Sequence, residues 1–211
     1  MRNFSHLTPR YIRDRLGILA YERAHPDHPW LTKQANEMLA TYLRKTDVGL
    51  EWGSGRSSIW FAKRVGHLTS VEHNRDWFEK VGGMLTEQSI ENVSYYHFPR
   101  DMDPAEAGAS GYVRVTDSLD PESLDFALID GTYRDHCAIA VLDRIKPGGV
   151  MVIDNVERYL PSESHSPSAR SHAQGPKGAI WGEVAKKIAE WRFIWTSSGV
   201  NDTAFFFKPG S

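Results

Sequence analysis

The chain has 211 residues and carries 25 Lys and Arg against 27 Asp and Glu, a formal charge of -2. That length allows a real hydrophobic core, and the charge balance leaves no basic excess for a nucleic acid backbone or an anionic membrane, which favours a small-molecule partner. A single cysteine, Cys137, excludes an internal disulfide framework, no apolar run reaches spanning length, and Met1-Arg2-Asn3-Phe4-Ser5 lacks a signal-peptide core, so the sequence reads as one soluble, cytoplasmic domain.

Residues 1–47 read as a helical extension. Thr8-Pro9 suits a helix start, with Tyr11, Ile12, Arg15, Leu16 and Leu19 on one face. The His25-Pro26-Asp27-His28-Pro29 stretch breaks the chain, and its prolines favour a loop over a metal site for His25 and His28. A second helix is expected over 32–44, with Ala35, Met38, Leu39 and Tyr42 at helical spacing. These helices should cap a sheet or line a substrate opening.

Apolar residues then lead into Glu51, and Gly53 and Gly55 punctuate the start of a helix carrying Ile59, Ala62 and Val65. Strand, glycine turn and helix in this order form a ligand-binding turn: glycine tolerates unusual φ/ψ and lets a ligand approach the backbone. Nineteen residues after Gly53, the run Leu68-Thr69-Ser70-Val71 ends in Glu72, where βαβ nucleotide units place the acid that holds ribose hydroxyls. The dinucleotide fingerprint wants a third glycine at position 58, which is Ser. The alternative is a structural turn with two solvated acids.

Asn74 suits an N-cap for a helix with Trp77, Phe78, Val81 and Leu85, read as core, and residues 92–98 read as a third strand. Residues 99–120 read as a long loop with a short strand at 112–115. Arg100, Asp101 and Asp103 open it beside the expected ligand edge, where a solvated charge cluster is the simpler reading. Leu124 to Ile129 is a buried-type strand ending at Asp130. A helix with Ala138, Val141, Leu142 and Ile145 follows, with Cys137 as core, and Lys146-Pro147-Gly148-Gly149 stops it. A strand over 150–153 ends at Asp154-Asn155. Residues 156–178 are rich in Ser and Pro, and are read as a lid-like loop or mobile linker carrying His165 and His172. A helix over 179–191 and two strands, 192–195 and 203–207, paired as a hairpin, complete the chain.

The expected fold is therefore α/β: a doubly wound, mostly parallel seven-stranded sheet with helices on both faces, an antiparallel C-terminal strand pair and an N-terminal helical extension. Glu51, Glu72, Asp130 and Asp154 should gather at one edge, where clustered carboxylates are costly unless they share something cationic.

Glu51-Trp-Gly53-Ser54-Gly55, Glu72, the strand ending in Asp130, the Lys-Pro-Gly-Gly turn and the terminal hairpin resemble a class I S-adenosylmethionine-dependent methyltransferase over about residues 48–209. The resemblance implies that Glu51, Gly53, Ser54 and Gly55 cradle the methionyl part of S-adenosylmethionine, that Glu72 holds the ribose, and that His73 and Asp130 adjoin the rest of the cofactor. Ser57 stands where a further glycine often follows. A narrower similarity, to divalent-metal-dependent O-methyltransferases of the catechol type and to sugar O-methyltransferases, implies Mg²⁺ held by Asp130, Asp154 and Asn155 and a small-molecule or sugar acceptor. Oxygen-only ligation suits Mg²⁺. The alternative for Asp154-Asn155 is that they end a strand and cap the next turn. The catechol-type enzymes carry a lysine three residues after the first Asp; here that position is Tyr133, followed by Arg134, so the proton-handling candidates are Asp130, Tyr133, Arg134, His136 or a lid histidine. An NAD-linked oxidoreductase, or a non-catalytic module that binds S-adenosylmethionine, are the alternative functions.

Overall fold

The structure, a computed structural model, describes residues 8–210, so the Met1–Ser5 stretch read above lies outside the described residues. The first helix, α1 (Pro9–Ala24), starts as expected. Thr8 is its N-cap, its side chain accepts from Tyr11 N, and Pro9 occupies the first position, where no hydrogen bond is lost.

The expected packing of α1 does not follow. It has no fully buried residue, and Ile12, Leu16 and Leu19 remain exposed. The helix lies against the turn after residue 197 rather than on the sheet, with Asp14 close to Gly199. The second helix, α2 (Lys33–Tyr42), is the one that packs down. Thr32 caps it and hydrogen-bonds to Thr196, while Leu31, Ala35, Leu39 and Leu43 enter the core.

From there strands and helices alternate: β1 (Val48–Trp52), α3 (Arg56–Ala62), β2 (His67–Glu72), α4 (Arg75–Glu87) and β3 (Val93–His97), then the short α5 (Gly111–Arg114). The second half runs β4 (Leu124–Ile129), α6 (Arg134–Val141), β5 (Ile145–Asp154), α7 (Gly178–Lys187), β6 (Arg192–Ser197) and β7 (Asp202–Phe207). One seven-stranded sheet results, ordered β3-β2-β1-β4-β5-β7-β6, with β1 to β5 parallel and β7 antiparallel to both neighbours. The terminal hairpin is thus inserted so that its second strand pairs with β5. Right-handed crossovers put α3 and α4 on one face, and α5, α6 and α7 on the other.

Each face has its own core. On one, α2 and α3 cover Leu68, Phe126, Leu128, Val150, Val152 and Phe205. On the other, α5 to α7 cover Leu50, Trp52, Ala127, Ile129, Met151 and Ile153, and buried Cys137 is part of this packing.

Four local expectations are corrected. Residues 112–115 form no strand: Gly111–Arg114 is a helical turn capped by Ser110, which buries Tyr112 and turns its carbonyl inward to accept from Trp52 Nε1 at 2.8 Å. The helix after Asp130 ends at Val141, and Ile145 already belongs to β5, whose pairing with β4 is irregular at Lys146-Pro147-Gly148-Gly149. Trp77 and Phe78 are only half-buried, and α4 buries Val81 and Leu85 alone. Residues 156–178 are tied down rather than a free linker. Arg170 N donates to Glu157 O, Ser162 N to Arg170 O, and Ser166 Oγ to Asp202 Oδ1 at 2.6 Å.

Candidate active site

The carboxyl ends of β1, β2 and β4 open onto a cavity of about 730 Å³, lined among others by Gly53, Ser54, Glu72, His73, Trp77 and Asp130. That size suits a cofactor-sized ligand. Two backbone segments meet at its floor. Gly53 has φ +95°, and a Cβ there would lie 2.8 Å from Gly131 N; a Cβ on Gly131 would lie 1.8 Å from the Tyr112 hydroxyl. Glycine is required at both because the turns after β1 and β4 cross with no room for a side chain.

Glu72 organises the wall. Its Oε2 accepts from Ser54 N and Ser54 Oγ, each at 3.1 Å, and its Oε1 accepts from His73 N and Asn74 N, each at 2.8 Å. His73 Nδ1 lies 3.0 Å from Oε1. Burial pushes this carboxyl up, but the His73 side chain and the Asn74 N–H outweigh it and hold it below the ordinary glutamate range. Glu72 therefore stays ionised and joins the glycine turn to the start of α4. Trp77 adds a second tie, its Nε1 donating to Ser54 O at 2.7 Å.

Glu51 lies apart from the open edge where the sequence placed it. It points toward α3, is fully buried, and accepts at Oε1 from Ser58 Oγ and from Ser70 Oγ at 2.7 Å, while Oε2 has no partner. Burial pushes its carboxyl up to about 7, against the pull of Ser58, Ser70 and Ser57. The Gly-Ser-Gly turn does border the cavity, and the orphaned Oε2 beneath it is an acceptor a bound cationic or hydrogen-bonding group can use.

Arg134 occupies the ends of β4 and β5. Its guanidinium donates to Asp130 O at 2.5 Å, Asp130 Oδ1 at 2.8 Å, Gly131 O at 2.9 Å and Asp154 O. Burial opposes its charge, but Asp130 and Asp154 more than offset it, so its pKa is raised. Asp154 is buried and pushed well above the carboxylate range by burial, with repulsion from Asp130 adding to it; Thr203 Oγ1 donates to its Oδ1 at 2.8 Å. Asp130 is raised by desolvation too, opposed by Arg134, and with 31% of its side chain still exposed the effect of burial there is the weaker of the two. Asn155 is left-handed, φ +49°, and its carbonyl accepts from Arg158 N, opening the turn Val156–Arg158.

This donor set does not fit the Mg²⁺ expected at Asp130, Asp154 and Asn155. Arg134 takes Asp130 Oδ1 and Thr203 takes Asp154 Oδ1, so one oxygen of each carboxylate already accepts a hydrogen bond, and a guanidinium stands where a divalent ion would sit.

Tyr133 presents no free hydroxyl to the cleft. It is buried and left-handed at φ +49°, and its hydroxyl donates to Met102 O at 2.8 Å while accepting from Met102 N at 3.3 Å. A second cavity, of about 360 Å³, adjoins the first through Arg100, Gly131 and Thr132 and adds Tyr133, Arg134, Tyr159, Lys177 and Trp181. The sequence reading missed Trp77, Trp30 and Tyr159 as lining residues. Trp77 carried a usable signal, three residues after a helix cap that follows the strand-end acid; Trp30 and Tyr159 reach the edge only through tertiary packing.

No protein-family model and no curated protein matches the chain. Solved structures do. A methyltransferase-like protein from Silicibacter pomeroyi aligns at TM-score 0.55 and 21% identity, over 87% of this chain and 90% of that one. An S-adenosylmethionine-dependent methyltransferase from Aquifex aeolicus aligns at TM-score 0.52 and 11% identity, over 90% and 96%. The fold is that of the class I methyltransferases. An rRNA methylase from Streptococcus thermophilus has the same fold, with TM-score 0.54 and 11% identity over 84% of this chain and 95% of that one, so a shared fold leaves the acceptor open. Among the described residues no helix is long and apolar enough to cross a membrane.

Proposed function

We propose that this chain is an S-adenosylmethionine-dependent methyltransferase that methylates oxygen on a small molecule or sugar without a divalent metal. The observation that carries the reading is the Glu72 hub: an ionised acid at the end of β2, bonded to the glycine turn after β1, at the wall of a cofactor-sized cavity in this fold. The Gly53-Ser54-Gly55 turn would take the methionyl part, with Glu51 beneath it. Glu72 would meet the ribose hydroxyls, and His73, Trp77 and Asp130 would border the remainder. S-adenosylmethionine, when bound, supplies an electrophilic methyl group on a sulfonium.

The chain's own contribution is positioning and field. Arg134 carries a permanent charge and so exchanges no proton. Its donated bonds go to Asp130, Gly131 and Asp154, and so fix the ends of β4 and β5 beside the second cavity. The left-handed Tyr133 fixes the direction of α6 and, through Met102, the loop beside the cleft.

Isothermal titration with S-adenosylhomocysteine, in EDTA and again in Mg²⁺, tests this reading. Micromolar binding, equal in the two buffers, is expected. Absence of binding in both would sink the proposal, and binding only with Mg²⁺ would reinstate the metal at Asp130 and Asp154.

A further inference from the structure

The second cavity has a charge pattern opposite to that of the first. Arg100, Arg134 and Lys177 line it, and Asp135 is the one carboxylate among the lining residues. Arg134 is neutralised by Asp130. Neither Arg100 nor Lys177 forms an ion pair with a carboxylate among the described residues, and Asp101 and Asp103, which follow Arg100, do not line the cavity.

Each free cation lies over a ring that lines the cavity. Arg100 Cζ lies 5.6 Å from the Tyr133 ring centroid, and Lys177 Nζ 5.5 Å from that of Tyr159. Tyr159 is itself stacked on buried Trp181, with centroids 5.0 Å apart and planes 17° from parallel. A cation over a ring is held by the ring's quadrupole, yet its outer hemisphere is left for an anion. Two long side chains from distant segments, one after β3 and one before α7, are thereby brought to one cavity.

We infer that this cavity is the acceptor subsite and that it takes a small molecule bearing an anionic group, a carboxylate or a phosphate ester, held between Arg100 and Lys177. The inference rests on the methyltransferase reading for the word acceptor, but anion binding at the subsite is measurable by itself. The rings of Tyr159 and Tyr133 hold the two cations in place, and the cations set which end of the ligand enters.

The test titrates 4-hydroxybenzoate, phenyl phosphate and neutral 4-hydroxybenzamide into the wild type and into the Arg100→Gln, Lys177→Gln double variant, with and without S-adenosylhomocysteine. An anion is expected to bind the wild type at least about tenfold more tightly than the amide, and the double variant to lose that preference. Preference for the benzoate names a carboxylic acid as the source, and preference for the phosphate names a phosphate ester. Equal binding of amide and anions, no binding of any probe, or a preference that survives in the double variant would overturn the inference. Melting temperatures monitor folding. S-adenosylhomocysteine titrated separately into both proteins reads the methyltransferase proposal, so the failure of one idea is not mistaken for failure of the other.

Discussion

The two cavities share an edge of the sheet and oppose each other in chemistry. The one after β1 and β2 has backbone turns, Trp30, Trp77 and an excess of acids, Glu72, Asp76 and Asp130, over Lys80 and Arg100, and its Glu72 accepts from four backbone and side-chain donors. The one after β4 and β5 is walled by aromatic rings and cations. At the second cavity stands Arg134, which donates four hydrogen bonds that join the ends of β4 and β5. The contrast teaches that one sheet edge can serve a cationic ligand and an anionic one side by side, provided a cation is built into the boundary. The acids that the sequence gathers there need not share a metal ion.

Breaking the boundary should have the largest effect. Arg134→Ala leaves Asp130 and three carbonyl oxygens without their donor, and the loss of one partner from a buried ionic cluster costs about 3 to 5 kcal/mol. Chemical denaturation should show a loss of that order, and Arg134→Lys should recover only part of it, because an ammonium lacks the planar fork.

Glu51 sharpens the comparison from beneath the acid half. In the folded protein its proton is held to about pH 7, whereas in the unfolded chain it is released near the ordinary value of 4.5. The native state thus binds more protons between those values, and its stability falls as pH rises through that window, by about 3 kcal/mol once pH exceeds 7. Glu51→Gln should match the wild type below pH 4.5, exceed it by up to that amount above pH 7, and flatten the pH profile between, as read by denaturant midpoints.

Glu72→Ala strips the acceptor from Ser54 N, His73 N and Asn74 N. Unsatisfied donors at a partly buried site cost about 1 to 3 kcal/mol, and S-adenosylhomocysteine affinity should fall on the order of tenfold to a hundredfold by titration calorimetry. Tyr133→Phe is the mildest change. It removes two hydrogen bonds to Met102 while leaving the ring under Arg100, so thermal melting should show a loss of about 1 kcal/mol and the benzoate preference should persist.

The alternation of strands and helices was legible because each buried strand is a short apolar run closed by an acid or glycine, and each helix has a three-to-four-residue apolar face. Crossover handedness placed the strand ends on one edge, but the order β3-β2-β1-β4-β5 depends on pairings that no local pattern contains. The hairpin was legible from Ser198-Gly199 and its aromatic flanks, but not its insertion beside β5, which depends on pairs such as Val152 with Phe205 that no local pattern contains. Glu72 was read correctly as a strand-end acid. The burial of Glu51 was not legible, because in a strand buried on both faces the pattern alone does not tell which face a polar residue takes, and the serines that receive it, Ser58 and Ser70, lie on two other elements. At the expected metal site stands Arg134. A cation one residue beyond the expected lysine position was visible in the sequence, but its fork reaching Asp154 O depends on β4 and β5 lying side by side. The apolar face of α1 was a true helical pattern without a burial partner, which periodicity does not distinguish from a packed one.

The most direct measurement is a crystal structure of the protein grown with S-adenosylhomocysteine. The account predicts the ligand in the cavity of Gly53, Ser54 and Trp77, with its ribose hydroxyls within hydrogen-bond distance of Glu72 and its sulfur facing the aromatic, cationic half beyond Arg134. Ligand seated elsewhere, for example in the groove between α1 and the β6–β7 turn, or a ribose turned away from Glu72, would contradict it.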